Sequence, residues 1–356
     1  MKIIYDAHIY LSQKTGGISR YHYELFKGMR QLGHDAKIVG LFVKNQYLLS
    51  DSRYKKSFFH DPTASLALLN KIALKYTLKR TMATDIFHPA NAYSYLYTEM
   101  LQVKNKVFTI HDMIVEKQEA LSGGNKLHFA RNADKIIAVS EATKKDIVEI
   151  WGIEKEKIEV IYHGSSLSPQ LAKQSATPLP DSFLLYVGSR NGHKNFTRFI
   201  HATAPLLKGN STLYLVCAGG RAFSHEESLL IKELGIERKV IACPNITDSE
   251  LACLYCKAKA FVFPSLNEGF GIPVLEAWAC KTPVILSDNP CFKEVAAEAG
   301  YYFAPDSQES IREAVGKVLS DQSLQTDLIK KGTSRLRLFS WEKTVSQTDK
   351  LYQSLL

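Results

Sequence analysis

The chain has 356 residues, 45% hydrophobic and 23% charged, with 45 Lys+Arg against 36 Asp+Glu and a formal net charge of +9. These are the fractions of a globular protein, the length suits two α/β domains, and no stretch approaches the roughly 18 apolar residues of a membrane span. The charge is uneven: residues 1–170 hold 24 Lys+Arg against 17 Asp+Glu, a net +7, and residues 171–356 hold 21 against 19, a net +2. A basic first half suits an anionic partner, whether lipid surface, polyanionic acceptor or nucleic acid, or is a solvated basic surface. Nucleic acid is disfavoured, because the basic residues lack interleaved aromatics and no reading-head motif occurs.

Residues 2–5 read as a first strand that meets Asp6 too early for a secretion signal, so a cytoplasmic protein is expected. A loop to Gly16-Gly17 leads into a helix over 18–32, with Tyr21, Leu25, Phe26 and Met29 on one side and Gly33 as its stop. A second strand over 37–42 completes a β–loop–α–β opening, the start of a doubly wound sheet. The loop is not G-x-G-x-x-G; its glycine pair either admits a ligand close to the backbone or is a plain tight turn.

Residues 64–80 read as a basic helix. Lys71, Lys75 and Lys79 recur every four residues beside Arg80, and Leu68, Leu69, Ile72, Leu74 and Tyr76 supply apolar surface. Such a helix lies on anionic lipid, or it is a surface helix with its apolar side on the core. Strands follow over 84–88, 106–110, 135–139 and 157–161. His111-Asp112 stands at a strand end, where ligands sit in open α/β sheets. There a histidine orients a hydroxyl or donates to developing charge, and Asp112 fixes its neighbour or binds substrate; a core histidine is the alternative. Ser140 is placed as the N-cap of a helix over 140–151.

Residues 168–181, with Pro169, Pro178 and Pro180, form the expected linker between a domain over 1–167 and another over 182–339, with a final helix in 340–356. The second half restarts with a strand over 183–187, the loop Gly188-Ser189-Arg190-Asn191-Gly192-His193-Lys194-Asn195 and a helix over 196–207. A strand over 212–217 ends in Gly219-Gly220, and a strand over 239–242 and a helix over 248–258 follow. Next come the apolar strand 260–263 and a loop holding Asn267, Glu268, Gly269, Phe270 and Gly271. A helix from Ile272 carries Pro273 in its first turn and Glu276 one turn in. Backbone N–H groups and the helix dipole at such a start face an anion, and the two carboxylates accept from sugar or ribose hydroxyls. Solvated acids on an ordinary βα turn are the alternative. A strand over 284–286 and helices over 307–319, 321–338 and 342–355 end the chain. The six cysteines, all in the second half, read as buried free thiols, because Cys253-x-x-Cys256 has no second pair nearby.

Taken together, these motifs resemble the retaining GT-B glycosyltransferases of family 4, the glycosyl transferases group 1. They are Gly16-Gly17, His111-Asp112, Ser140-Glu141-Ala142-Thr143, Arg190 with Lys194, Gly219-Gly220, and Glu268 with Glu276, in that order. The resemblance covers nearly the whole chain. It implies an α/β GT-B fold: two Rossmann-like domains facing a central cleft, with the C-terminal helix returning to the first. It also implies roles for single residues. Arg190 and Lys194 hold the donor diphosphate and stabilise the departing charge. Glu268 touches the donor sugar and Glu276 the ribose. The amides of Gly269, Phe270 and Gly271 meet the phosphates beside Asn267 and Ile272, Gly17 belongs to a loop over the donor, and His111 lies near the reacting centre. The mechanism implied is front-face retention without a side-chain nucleophile. No Asp-x-Asp occurs, so no metal and no other cofactor is expected, with the two cations in the metal's place. The Arg-Asn-Gly-His-Lys-Asn form of the basic loop resembles the mannosyltransferase branch, which implies GDP-mannose as donor and a lipid-linked or polysaccharide acceptor at the inner membrane face. Competing readings are a UDP- or dTDP-sugar transferase, a sugar-nucleotide epimerase or glycoside phosphorylase of similar architecture, and a non-catalytic glycan-binding module.

Overall fold

The computed structural model describes residues 1–49, 55–56, 64–80, 84–93, 103–118, 124–172, 178–190 and 192–356. Asn191 and residues 173–177 of the expected linker lie outside the described residues. The chain divides into two units, Met1–Gly164 with Trp341–Leu356, and Ser165–Ser340.

In the first unit, β1 (Lys2–Asp6) pairs in parallel with β2 (Asp35–Val39) on one side and β5 (Ile86–Phe87) on the other. A parallel bridge from Phe87 to Lys106 joins these to β6 (Val107–Ile110), β7 (Lys135–Ala138) and β8 (Ile158–Val160). Ile3, Ile4 and Tyr5 are fully buried, as are Ile136, Ile137 and Ala138. Such runs are what a parallel sheet covered on both faces requires. A small parallel ribbon pairs β3 (Phe42–Val43) with β4 (Lys55–Lys56). The expected second strand thus falls earlier than 37–42, and Phe42 belongs to the ribbon.

The helix Gly17–Gln31 buries Tyr21, Leu25, Phe26 and Met29, and Gly33 follows it at φ +87. The closing helix Trp341–Gln353 lies in this unit, so the expected return of the C-terminus to the first domain is present. It meets the helix Gly17–Gln31 at Gly28, where a Cβ would collide with both Cγ atoms of Val345. Thr344 Oγ1 donates to Tyr162 O at 2.6 Å, and His34 Nε2 lies 2.7 Å from Asp349 Oδ1.

In the second unit six parallel strands stand in the order β11–β10–β9–β12–β13–β14. They are β9 (Ser182–Val187), β10 (Leu213–Ala218), β11 (Val240–Cys243), β12 (Ala260–Phe263), β13 (Val284–Ser287) and β14 (Tyr301–Phe303). Counted within the unit this is 3-2-1-4-5-6, the doubly wound dinucleotide-fold order. The strand order reverses between β9 and β12, and the loops after these two strands flank that point. Sequence reasoning missed β14 and the helices Gln46–Leu49, Ile114–Gln118, Gly124–Asn132, His225–Glu233 and Pro290–Ala296, and the expected loop before Gly16 holds a short helix, His8–Ser12. Five of the six cysteines are buried free thiols as expected; Cys256 is exposed.

Candidate functional site

The crevice at the strand reversal of the second unit collects most of the expected residues. After β9 the chain passes Gly188, at φ +120, and Arg190, then turns through Gly192–Lys194. After β12 comes the glutamate loop. Leu266 N donates to His193 O at 2.8 Å, and Lys194 Nζ lies 2.5 Å from Glu268 Oε1. Both side chains are mostly buried, and Lys194 Nζ stands 5.2 Å from the centre of the Phe263 ring. After β10, Gly219 and Gly220 turn at φ +78 and +67, a region that glycine enters without strain. This turn packs on the β9 loop: a Cβ on Gly220 would stand 3.3 Å from Gly188 O.

The helix Ile272–Ala279 starts at Gly271, at φ +96, with Pro273 in its first turn. Among the described residues no side chain caps it, which is the arrangement of an anion-receiving helix start. Glu276 is buried, and Tyr255 donates its hydroxyl to Glu276 Oε2 at 3.2 Å. Burial and then the Glu276 charge push the Tyr255 phenol far above its ordinary value, so the tyrosine stays a donor. Phe270 meets Phe339 edge-on at 5.7 Å between ring centres, and its carbonyl accepts from Cys291 Sγ at 3.3 Å. Asn267 and Ile272 are half-buried at the rim.

Arg190 and Lys194 each face a carboxylate, Glu227 at 2.7 Å and Glu268 at 2.5 Å. The crevice therefore holds two compensated pairs and not two free cations. Glu227 was absent from the sequence reading, although Ser224-x-x-Glu227 is a capping-box pattern that marks a helix start.

In the first unit Gly16 is the extended N-cap of its helix, and Gln13 Oε1 accepts from Ser19 N at 3.2 Å where a Gly16 Cβ would stand. Gly17 is exposed. His111 follows β6 and belongs to a histidine cluster. Its ring centre is 5.9 Å from His22 and 5.7 Å from His163, and Tyr21 meets it edge-on at 5.1 Å. His22 lies 5.1 Å from His88. Burial, first of all, pushes all four imidazoles down, His88 to about 3 and His111 to about 4, so they are neutral near pH 7. A buried polar chain runs below them. Tyr21 Oη is 3.0 Å from Thr109 Oγ1, which is 2.8 Å from His88 Nε2; His88 Nδ1 is 2.6 Å from Tyr352 Oη, itself 3.2 Å from Tyr5 Oη. Through Tyr352 the closing helix thus joins the polar chain that ends at Tyr21, the ring that meets His111.

Asp6 ends β1 and accepts from His8 N and Ala90 N at 2.9 and 2.6 Å; burial pushes its carboxyl up to about 6. Asp112 Oδ1 accepts from Ile114 N at 3.2 Å and lies 3.7 Å from Lys126 Nζ. Ser140 is fully buried and caps its helix, accepting from Thr143 N at 3.0 Å. That matches its expected place as N-cap. Sequence reasoning missed Asp6, His22, His88, His163 and Tyr352, whose pairing depends on the tertiary fold.

The helix Ala64–Arg80 separates the residues the sequence grouped. Asn70, Leu74 and Leu78 face the core, whereas Leu68, Leu69, Ile72 and Tyr76 are exposed, Tyr76 by 58%. Leu74 is therefore core and not outer surface. Lys71 and Lys75 are half-buried and Lys79 exposed; the side chain of Arg80 lies outside the described residues. Among the described residues no helix is long and apolar enough to cross a membrane, and no group of three or more His, Cys, Asp or Glu is placed to hold a metal.

Residues 168–335 match the family model for glycosyl transferases group 1, and residues 15–168 that for glycosyltransferase family 4. The O-antigen chain mannosyltransferase RfbU of Salmonella typhimurium is 31% identical over 223 residues, a match spanning 61% of this chain and 61% of RfbU. The O-antigen chain mannosyltransferase B of Escherichia coli is 26% identical over 273 residues, 71% of each chain. Among solved structures, Anabaena HepE in complex with UDP and glucose superposes with a TM-score of 0.78 at 18% identity, covering 99% of this chain and 100% of that one. Sucrose-phosphate synthase from Thermosynechococcus elongatus gives 0.77 at 19%, covering 100% and 99%. At those identities the structural likeness bears on the fold, and the fold is GT-B.

Proposed function

Because the chain belongs to the group 1 glycosyltransferases of family 4, we propose that it moves mannose from GDP-mannose to a lipid-linked or polysaccharide acceptor, with retention of anomeric configuration. The observation that carries the reading is the Lys194–Glu268 pair, 2.5 Å apart, across the strand reversal of the second unit. It sets a cation for diphosphate oxygens beside an acceptor for sugar hydroxyls, at the point where doubly wound sheets bind ligands. The uncapped start at Gly271 offers amides to the same diphosphate. Glu276, fixed by Tyr255, takes the ribose. His111, neutral near pH 7, donates a hydrogen bond to the sugar and carries no charge that would repel positive charge developing at the anomeric carbon.

Lys194 and Arg190 meet the charge of the departing nucleoside diphosphate, so the reaction needs no metal ion or other cofactor. The attacking group is an acceptor hydroxyl, on the face that the nucleotide leaves. Mannose is favoured by the two O-antigen mannosyltransferases among the relatives. The outer face of the helix Ala64–Arg80, with Leu68, Leu69, Ile72 and Tyr76 exposed beside the lysine row, is the part that meets an anionic membrane carrying the acceptor, at its cytoplasmic side.

A thermal-shift panel of GDP-mannose, UDP-glucose, UDP-N-acetylglucosamine and dTDP-rhamnose tests the donor. At a hundred times its Kd a ligand stabilises the folded state by about 2.7 kcal/mol. A shift with GDP-mannose alone is the expected result. A shift with a UDP or dTDP sugar alone overturns the donor assignment, and no shift with any of them overturns the transferase site.

A further inference from the structure

Arg190 has five N–H donors, and their partners are unequal. Nε donates to Glu227 Oε1 at 2.7 Å. Nη2 donates to Glu227 Oε2 at 3.2 Å and to the carbonyls of Arg221 and Ala222 at 2.8 and 3.0 Å. Cζ stands 4.8 Å from the centre of the Phe223 ring and 5.7 Å from that of Phe196. The side chain is only 3% exposed, yet Nη1 meets no acceptor among the described residues. Beside Nη1 lies the glycine turn after β10: a Cβ on Gly220 would be 3.8 Å from it. Gly188, Gly219 and Gly220 keep side chains out of this edge.

Glu227 is anchored from two sides. Ser224 N donates to its Oε2 at 2.7 Å, and its own N–H donates to Ser224 Oγ at 3.2 Å. Burial pushes its carboxyl up, but Arg190 and the Ser224 amide outweigh that and hold it below the ordinary value. It is therefore a fixed carboxylate gripping one edge of a guanidinium, which is the geometry of strong bidentate pairs.

We propose that Glu227 is a positioning residue of the donor site: it holds Arg190 by Nε and Nη2, so that Nη1 is the atom offered to a phosphate oxygen of a nucleoside diphosphate at the Gly188–Gly220 edge. This rests on the donor-site reading above. A buried donor without an acceptor is costly, and an incoming phosphate oxygen removes that cost. A guanidinium already clamped loses little freedom when the oxygen arrives.

The test is calorimetric titration of GDP, UDP and dTDP into the full chain and into Glu227→Ala, Glu227→Gln and Ser224→Ala, with a melting curve for each. Glu227→Ala is expected to weaken the nucleotide that the wild type binds by at least tenfold. Glu227→Gln keeps a carbonyl for Nε and is expected to lose less. Ser224→Ala removes the cap hydroxyl but leaves the carboxylate on Arg190; it is expected to melt earlier and bind like wild type. Equal loss in Ser224→Ala would reduce Glu227 to a helix cap and overturn the proposal. Unchanged or tighter binding by Glu227→Ala would overturn it too, the latter by showing that the carboxylate competes with phosphate. Should Glu227→Ala fail to fold, Glu227→Gln decides: wild-type affinity there refutes the proposal and a loss of threefold or more supports it. If the wild type binds none of the three nucleotides, the donor-site reading itself falls, and this inference with it.

Discussion

Acid should unfold the first unit well before the second, because the first holds its histidines buried and neutral. His22 and His88 are fully buried and His163 is 3% exposed. Burial is the main cause that pushes each down, His88 to about 3 from an ordinary 6.5. Below pH 6.5 the unfolded chain therefore binds protons that the folded chain refuses, and stability falls as pH falls. At pH 5 His88, and His111 at about 4, each cost about 2 kcal/mol relative to pH 7.5, about 4 kcal/mol together, and His22 and His163 act in the same direction. Asp6 acts in the opposite sense: its carboxyl is raised to about 6, so protonation on acidification returns about 1 kcal/mol. The remaining loss of about 3 kcal/mol, before His22 and His163 are added, is a large fraction of the stability of a domain. Hydrogen exchange read by mass spectrometry at pH 7.5 and 5, corrected for intrinsic rates, should show β6 and β7 losing protection while β9 and β12 keep theirs. In His22→Phe the loss in the first unit should shrink, because a group that takes up protons only on unfolding is gone. Equal losses in both units, or an unchanged loss in His22→Phe, would refute the reasoning.

Gly28→Ala should destabilise the first unit by about 1–2 kcal/mol in urea unfolding, because the collision with Val345 outweighs alanine's helix preference; adding Val345→Ala should recover part of it, and an additive loss would show that the contact is not the cause. Lys194→Ala and Glu268→Ala should each lower kcat/KM by about 100-fold or more. The double variant should be little worse than the poorer single one, since each partner acts through the pair; full additivity would mean independent roles. Changing Lys71, Lys75 and Lys79 together to Glu should weaken binding to anionic vesicles by about 100-fold, at about 1 kcal/mol per lysine; unchanged vesicle binding would place the membrane contact elsewhere.

The fold was legible wherever one strand or helix carries its own pattern. β12 is apolar throughout, and β9 from Phe183 to Val187, because both faces are covered, and Tyr21, Leu25, Phe26 and Met29 mark one helix side. The misses are short or edge elements. β14 is three residues, Tyr301-Tyr302-Phe303, two of them half-buried, and three aromatic residues have no period to read. The helix His225–Glu233 buries one residue, Ile231, so its apolar stripe is nearly absent; its capping box was the stronger signal. The helix Ala64–Arg80 failed differently. It carries apolar residues both on its core row and on its outer face, which makes the two faces indistinguishable by composition.

The site was legible in its residues but not in its charges. Gly271, Glu276 and Lys194 lie on short segments whose roles follow from local order, a strand end before a helix start. What Arg190 and Lys194 face does not follow from local order, because Glu227 and Glu268 come from loops and helices 37 and 74 positions away. Pairing changes what the cations do. A free lysine attracts a diphosphate at long range, whereas a lysine already 2.5 Å from a carboxylate adds little net field at a distance. Its benefit comes at contact, when a phosphate oxygen shares the ammonium and the partner acid stays fixed. Catalytic stabilisation depends on such fixed dipoles and not on total charge. That is consistent with a second half that carries only a small net charge while the first half holds most of the chain's excess.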